Sequence, residues 1–395
     1  MAGQGLRVLL LADSSLPHFD LVPDSFTIDN LEPVALVGMV DPLRPEVPAA
    51  VAACKEAGVR VIMVTGDHPV TALAISRQLG MAERPDEVIS GADLKNAEEA
   101  LDRVRVFART APEQKLQIVQ AAQSKGQFVA VTGDGVNDAP ALRAANIGVA
   151  MGQSGTEVAR EAANLVISDD NFATLVTGIR EGRIAYSNVR KVVFLLVSTG
   201  VAEVAMVVGS FLIGMPVPLM PSQLLWLNLV TNGIQDKALA FEPAEGDELK
   251  RPPRKTSEHV FDRIMTVRVV LSALVMAALG MLTFRWALES GWEVDAARNL
   301  LLFLFVVLEI VQIGNARSET RSAFAIPPWT NPFLFFGSLL ALGIHLLAMA
   351  HPLGHRFLHT GPLAPGLALK VAALGLILLL VMELQKLVSA LVGRR

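Results

Sequence analysis

Thr132 to Leu142 read T-G-D-G-V-N-D-A-P-A-L at the end of an apolar run, with the carboxylates of Asp134 and Asp138 four residues apart where a helix is about to begin. Two carboxylates on a tight turn suit a hard cation such as Mg2+, and together they point to phosphoryl transfer. Gly133 and Gly135 let the backbone turn sharply, Asn137 adds an amide, and Pro140 opens the following helix. An ordinary Asp-Gly turn with a helix-capping aspartate accounts for either carboxylate alone. It does not account for both together with Asn137 and Pro140.

The elements that must position these groups are short apolar runs, most of them separated from the next by a helical pattern. The runs are Leu36 to Val40, Val59 to Val64, Val104 to Ala108, Phe128 to Val131, Ile147 to Ala150 and Leu165 to Ile167. Such alternation predicts a parallel α/β sheet, with Phe128 to Val131 as a buried strand. Ligands collect at the carboxyl ends of the strands in such sheets. The residues found there are Thr65-Gly66-Asp67, then Arg109-Thr110 with Pro112-Glu113-Gln114-Lys115 opening a helix, then Gly133-Asp134. Hydroxyl, backbone amides, a lysine and carboxylates are the parts a phosphoryl site needs. Taken singly, Thr65-Gly66-Asp67 also reads as a strand end with an N-capping aspartate, Lys115 as a solvated helix residue, and Asp41 as the stop of a strand before Pro42.

The 395 residues are 52% hydrophobic, which disfavours a wholly soluble protein. Up to about Tyr186 charge is spread throughout; beyond it come long apolar blocks between short polar loops. A soluble domain over 1–185 followed by a membrane domain over 186–395 is therefore expected. The net charge of −4 and the lack of a basic stripe with interleaved aromatics give no support to a nucleic-acid partner. Cys54 is the only cysteine, which excludes an internal disulfide and a cysteine metal cluster. The run Leu6 to Ala12 is short, holds Arg7 and gives way to Asp13-Ser14-Ser15, so it reads as a strand and not as a signal peptide.

Apolar blocks near 190–213, 217–240, 264–288, 299–316, 332–351 and 366–388 each approach the about 20 residues that a membrane-spanning helix needs. Arg180, Arg183, Arg190 and Lys191 precede the first block; Lys250, Arg251, Arg254 and Lys255 follow the second; Arg317 and Arg321 follow the fourth; Lys386, Arg394 and Arg395 lie in the tail. The alternate loops hold only Arg298 and Arg356, with Arg285 and Lys370 at adjoining ends. By the positive-inside rule the soluble domain and the carboxyl terminus are cytoplasmic. Phe172 to Arg190 reads as one helix continuing into the first span. Within the spans, Glu203, the group Asn228, Thr231, Asn232 and Gly233, and Glu309 with Gln312 and Asn315 mark a pathway, because ionisable groups in hydrocarbon are costly. Asn232-Gly233 predicts local unwinding that exposes carbonyls to an ion. Interhelical hydrogen bonding suits Gln312 and Asn315 but leaves two buried glutamates unexplained.

With these motifs in hand, the chain resembles the carboxyl-terminal portion of P-type cation-transporting ATPases, of the type II, calcium-pump-like group, over essentially its whole length. Thr65-Gly66-Asp67, Pro112-Glu113-Gln114-Lys115 and Thr132 to Pro140 match, in order, motifs of that family's phosphorylation domain, and Pro221 to Gly233 resembles its sixth transmembrane helix. The resemblance implies an α/β haloacid dehalogenase-like parallel sheet domain followed by an all-α six-helix transmembrane domain. It further implies that Thr65 and Gly66, within a motif completed by Asp67, bind the phosphoryl group, and that Lys115 neutralises it. Asp134 would ligate Mg2+ with Asn137 and Asp138 in support, beside Gly133 and Gly135, and Asp41 would lie at the hinge near the nucleotide. Glu203, Asn228, Thr231 and Glu309 fall on positions that bind calcium in animal members, and Asn232 belongs to the same set. Leu43 stands where the family usually has a second proline, Asn232 where calcium pumps have an aspartate, and Gly200 where they have an asparagine. One calcium, sodium or potassium, or protons on the glutamates all remain open as cargo. Mg2+ and ATP are the implied cofactor and substrate; lipid, the transported cation and the pump's amino-terminal portion are the implied partners, and a bacterial-type plasma membrane the implied location. The D-K-T-G and T-G-E motifs occur nowhere in the sequence, so the chain is expected to be inactive alone. A non-catalytic membrane protein with a binding or regulatory role is the competing reading. A membrane-anchored phosphatase is weaker, since it too needs a nucleophilic aspartate after its first strand.

Overall fold

The computed structural model describes residues 1, 6–13, 31–39, 42–255 and 257–392. Val40, Asp41, Ser14, Ser15, Arg394 and Arg395, named above, lie outside the described residues. The chain divides into two compact units, one of Met1–Glu181 with Gly246–Ser257 and one of Gly182–Glu245 with Glu258–Arg395.

In the first unit, β1 (Arg7–Asp13) and β2 (Glu32–Met39) pair antiparallel, and β2 is exposed along its length. The run expected to open the parallel sheet therefore belongs to a separate hairpin, because an apolar run does not encode its pairing partner. The parallel strands form two sheets and not one. β3 (Met63–Val64), β4 (Val88–Ser90) and β5 (Val106–Ala108) are ordered β3-β5-β4, while β6 (Ala130–Gly133), β7 (Ile147–Met151) and β8 (Leu165–Ile167) are ordered β6-β7-β8. The central strands β5 and β7 are the buried ones. β6 is an edge strand with alternating exposed residues, and Phe128 precedes it at 62% exposure, so the expected buried strand Phe128 to Val131 is corrected. β4 escapes sequence reading because three apolar residues are too few to show a period.

Between the strands lie α1 (Val47–Glu56), α2 (Pro69–Gln78), α3 (Ala97–Arg103), α4 (Pro112–Ser124), α5 (Ala139–Ala144) and α6 (Glu157–Ala162). Their starts follow local chemistry. Asn96 accepts the Glu98 and Glu99 amides ahead of α3, Thr156 accepts the Ala159 amide in α6, and Pro112 occupies the first turn of α4, where a missing N–H costs nothing. Ile62 beside β3, Val64 within it and Val129 beside β6 pack on one cluster around Leu101, Phe107 and Ile118, which joins the two sheets.

A single helix, α7 (Phe172–Leu212), begins in the first unit and ends in the second, as the continuous pattern from Phe172 anticipates. The second unit continues with α8 (Pro221–Trp226), α9 (Asn232–Leu239), α10 (Arg263–Glu289), α11 (Val294–Ala316), α12 (Pro332–Ala350), α13 (Pro352–Leu358) and α14 (Pro365–Val392). Among the described residues, five helices are long and apolar enough to cross a membrane: α7, α10, α11, α12 and α14. The remaining expected span, near 217–240, is interrupted. A wide turn at Leu227–Thr231, in which the Asn232 amide bonds the Leu227 carbonyl, separates α8 from α9. The irregularity thus falls one turn before Asn232-Gly233, as a widened helical turn and not as unwound chain. α11 is the core of this unit, with Leu300 to Leu302 and Leu304 to Val306 fully buried.

Candidate phosphoryl-transfer and cation sites

The carboxyl ends of β3, β5 and β6 bring the motif residues of the first unit together. The Thr65 hydroxyl donates to Asp67 Oδ2 at 2.9 Å and accepts the Asp67 amide at 3.1 Å, a closed turn that leaves Gly66 and Asp67 exposed. Thr110 ties this turn to the end of β5, its amide and hydroxyl each 3.2 Å from the Thr65 carbonyl. The helix cap here is His68, whose Nδ1 accepts the Val70 amide, so Asp67 is not the cap of α2.

From the first turn of α4, Lys115 Nζ reaches Asp138 Oδ1 at 2.6 Å, and Asp138 Oδ2 accepts the Gly135 amide at 3.3 Å. Lys115 and Asp138, assigned separately to phosphate and metal, therefore hold each other in this arrangement. Asp134 is exposed, and its carboxylate has no hydrogen bond or ion pair among the described residues. Gly133 is required by close approach: a Cβ there would lie 2.6 Å from that of Asp138. Gly135 has φ −99° and Gly133 no positive φ, so neither supplies a left-handed turn, and only Gly133 is required, for space. Asn137 is exposed beside them. One free and one bridged carboxylate, with exposed amides around them, fit Mg2+, which keeps several waters and takes one or two carboxylates plus phosphate oxygens. Among the described residues no group of three or more His, Cys, Asp or Glu side chains is placed to hold a metal ion.

In the second unit Glu203 of α7 accepts the Asn228 amide on Oε2 at 2.9 Å, while its buried Oε1 has no partner. Glu309 of α11, fully buried, accepts Asn232 Nδ2 on Oε1 at 3.2 Å and bonds the Thr231 hydroxyl on Oε2. The side-chain oxygen of Asn232, Oδ1, is buried and unpartnered. The structure thus joins Glu203 to Asn228 and Glu309 to Thr231 and Asn232. Asn228 itself is exposed, not enclosed. Orphaned oxygens buried beside carboxylates are costly unless something binds them, which makes this place a candidate cation site.

Sequence reading missed several groups here. Thr199 accepts Asn232 Nδ2 at 3.3 Å, and Ser198 accepts Gln312 Nε2 at 3.0 Å. The helical period carried the signal, since Thr199 lies one turn before Glu203 on the same face. Gln235, buried one turn after Thr231 and Asn232, leaves both side-chain polar atoms unpartnered. Asn315 bonds Gln312 within α11 at 3.2 Å, so only Gln312 makes the expected interhelical contact.

Residues 11–146 match the haloacid dehalogenase-like hydrolase family, and residues 216–388 match the carboxyl terminus of cation-transporting ATPases. The chain is 37% identical to the calcium-transporting ATPase of Bacillus subtilis over 93% of its own length, and 38% identical to the probable cation-transporting ATPase F of Mycobacterium tuberculosis over 94%. It is 33% identical, over 91% of its length, to an endoplasmic reticulum-type calcium-transporting ATPase of Arabidopsis thaliana. It spans only about 42% of the length of the two bacterial relatives. A haloacid dehalogenase-like parallel-sheet domain followed by membrane-spanning helices of the cation-ATPase type places the chain in the family of P-type cation-transporting ATPases, as a counterpart of their carboxyl-terminal part.

Proposed function

We propose that the chain supplies the phosphoryl-handling edge and the cation site of an ATP-driven cation pump that works through an aspartyl phosphate. Its carrying observation is the pair of buried glutamates, Glu203 and Glu309, engaged by Asn228, Thr231 and Asn232 on the helices of an apolar unit. On this reading Thr65 and the exposed Gly66 backbone receive the phosphoryl oxygens, with Asp67 holding the Thr65 hydroxyl in place. Lys115, now on Asp138, is placed to neutralise an arriving phosphoryl group, and Asp134, with Asp138 and Asn137 in support, would hold Mg2+. Bound Mg2+ would supply charge neutralisation at the transferring group. Residues 1–395 contain no D-K-T-G aspartate, so the chain alone forms no phosphoenzyme. The 1–185 and 186–395 division, the cytoplasmic placement of the first unit and of the carboxyl terminus, and a bacterial plasma membrane complete the proposal. Asn232 in place of a carboxylate lowers the charge of the site and favours one cation, monovalent or divalent, over a pair of calcium ions.

A fusion of this chain to the upstream portion of the Bacillus subtilis calcium-transporting ATPase tests it. ATP hydrolysis by the fusion in lipid vesicles is expected to rise with Ca2+, Na+, K+ or protons, and Glu309→Gln is expected to remove most of that stimulation. Stimulation by every cation that survives Glu203→Gln and Glu309→Gln alike would exclude both glutamates from the site. The unfused chain with Mg2+ and labelled ATP should show no acid-stable phosphoprotein; its appearance would overturn the missing-nucleophile reading.

A further inference from the structure

Asp170 lies between β8 and α7 in a backbone conformation that side chains rarely adopt, with φ +52°. Such a conformation persists only where the surroundings hold it. Its buried carboxylate accepts two consecutive backbone amides from the loop after β7, Gln153 N–H on Oδ1 at 2.9 Å and Ser154 N–H on Oδ2 at 2.7 Å. Its own carbonyl accepts Arg44. None of these contacts is used by the phosphoryl chemistry described above.

The loop that Asp170 grips is stiff. Arg160 of α6 donates to the carbonyls of Gly152 at 3.1 Å and Gly155 at 2.7 Å, so the loop is held by its amides on one side and its carbonyls on the other. Gly152 and Gly155 have no room for a side chain, since a Cβ would meet the Ile167 carbonyl oxygen at 2.8 Å and the Met151 carbonyl oxygen at 2.0 Å. At its far end the loop meets the candidate metal turn, where the Thr156 amide donates to the backbone carbonyl of Asp134 at 2.8 Å. On the other side of Asp170 the helix starts at once. Asp169 accepts the Asn171 amide and, at 2.7 Å, the Thr174 hydroxyl, and Asn171 caps α7 through the Ala173 amide at 2.8 Å. Hydrogen bonds joined by short stretches of main chain therefore run from Asp134 through loop 152–156 to Asp170, whose chain neighbours Asp169 and Asn171 bond the first turn of α7, the helix that later carries Thr199 and Glu203.

We infer that Asp170 is a positioning residue that transmits occupancy of the Asp134 turn to the start of α7. Metal binding at Asp134 draws on its main chain, Thr156 carries the displacement into the clamped loop, and the paired amides of Gln153 and Ser154 pass it to Asp170. This inference rests on the reading of Asp134 as a Mg2+ ligand.

Amide hydrogen exchange of the full chain in lipid nanodiscs, with and without Mg2+, separates the two. In the unaltered chain Mg2+ is expected to slow exchange at 135–138, at Thr156 and across 171–177, the last by about tenfold, the scale of one charge-assisted hydrogen bond. Asp170→Asn keeps a residue that tolerates positive φ but turns an NH2 toward one of the two amides. It should keep the slowing at 135–138 and lose it at 171–177. Thr156→Pro removes the amide that reaches Asp134, at a φ of −69° that proline adopts, together with the hydroxyl that caps α6, and should act in the same way without touching Asp170 or α7, whereas Thr156→Ala, which removes the hydroxyl alone, should keep the slowing. Slowing at 171–177 that persists in Thr156→Pro or in folded Asp170→Asn, or that is missing from the unaltered chain while 135–138 responds, overturns the inference. If Mg2+ leaves 135–138 unchanged in the unaltered chain, the metal reading itself is wrong and the inference falls with it.

Discussion

Single residues divide into those whose chemistry announces itself and those whose partner has to be seen. Thr65, Lys115, Asp134 and Asp138 are legible because hydroxyl, ammonium and carboxylate groups at strand ends have few structural reasons to recur together. Asp170 is not legible, for in the string S-D-D-N its neighbour Asp169 does ordinary helix-start work and nothing local shows which aspartate is clamped. The Gln153 and then the Ser154 hydrogen bonds hold the Asp170 carboxyl down to about 2, from an ordinary 3.8. A carboxyl with a folded-state value below its unfolded one adds stability above the unfolded value and gives it up as the pH falls through the folded one. The Asp170 clamp is thus complete above about pH 4 and is lost between about pH 4 and pH 2. Acid titration of the chain, followed by exchange at 153–154, should show that loss, and Asp170→Asn should abolish its pH dependence; an unchanged titration would remove the carboxylate from the clamp.

Elements are legible where periodicity is strong and illegible where pairing decides. The apolar runs locate β5, β7 and β8 to within a few residues, and the long blocks locate α10, α11, α12 and α14. Alternation of strand and helix does not say that β1 and β2 form an antiparallel hairpin, nor that β6 has a neighbour on one side only. The wide turn at Leu227–Thr231 was equally hidden, although Asn228 and Thr231 inside it signalled a special segment. Two glycines show how element geometry, more than residue type, sets sensitivity. Gly155→Ala, which would press a methyl onto the Met151 carbonyl, should destabilise the first unit by about 1–3 kcal/mol. Gly66→Ala meets nothing within 4 Å and should stay within about 0.5 kcal/mol. Urea unfolding followed by circular dichroism distinguishes them, and equal effects would show that the loop after β7 is not as tight as it is drawn.

For the whole molecule, hydropathy and charge separate a charged α/β portion from an apolar helical one. The same basic residues are also structural: Arg190 pairs with Glu319 at 2.8 Å and Asp262 at 2.9 Å, Lys191 with Glu245 at 3.0 Å, and buried Arg317 with Glu242 at 2.7 Å. The orientation they imply is open to labelling. With the buried Cys54 changed to alanine, Ser290→Cys should react with a membrane-impermeant maleimide in intact cells, and Lys255→Cys only after permeabilisation. The reverse pattern would invert the topology. Sequence alone determined the chemistry available, the two kinds of folded portion and the family, because residue types, strand-end motifs and twenty-residue apolar blocks are local properties of a chain. Only the tertiary structure decided that Lys115 rests on Asp138, that Glu309 lies beneath Thr231 and Asn232, and that Asp170 grips the amides of Gln153 and Ser154. Each of these depends on side chains brought together from distant parts of the chain, and local sequence holds no record of such a meeting.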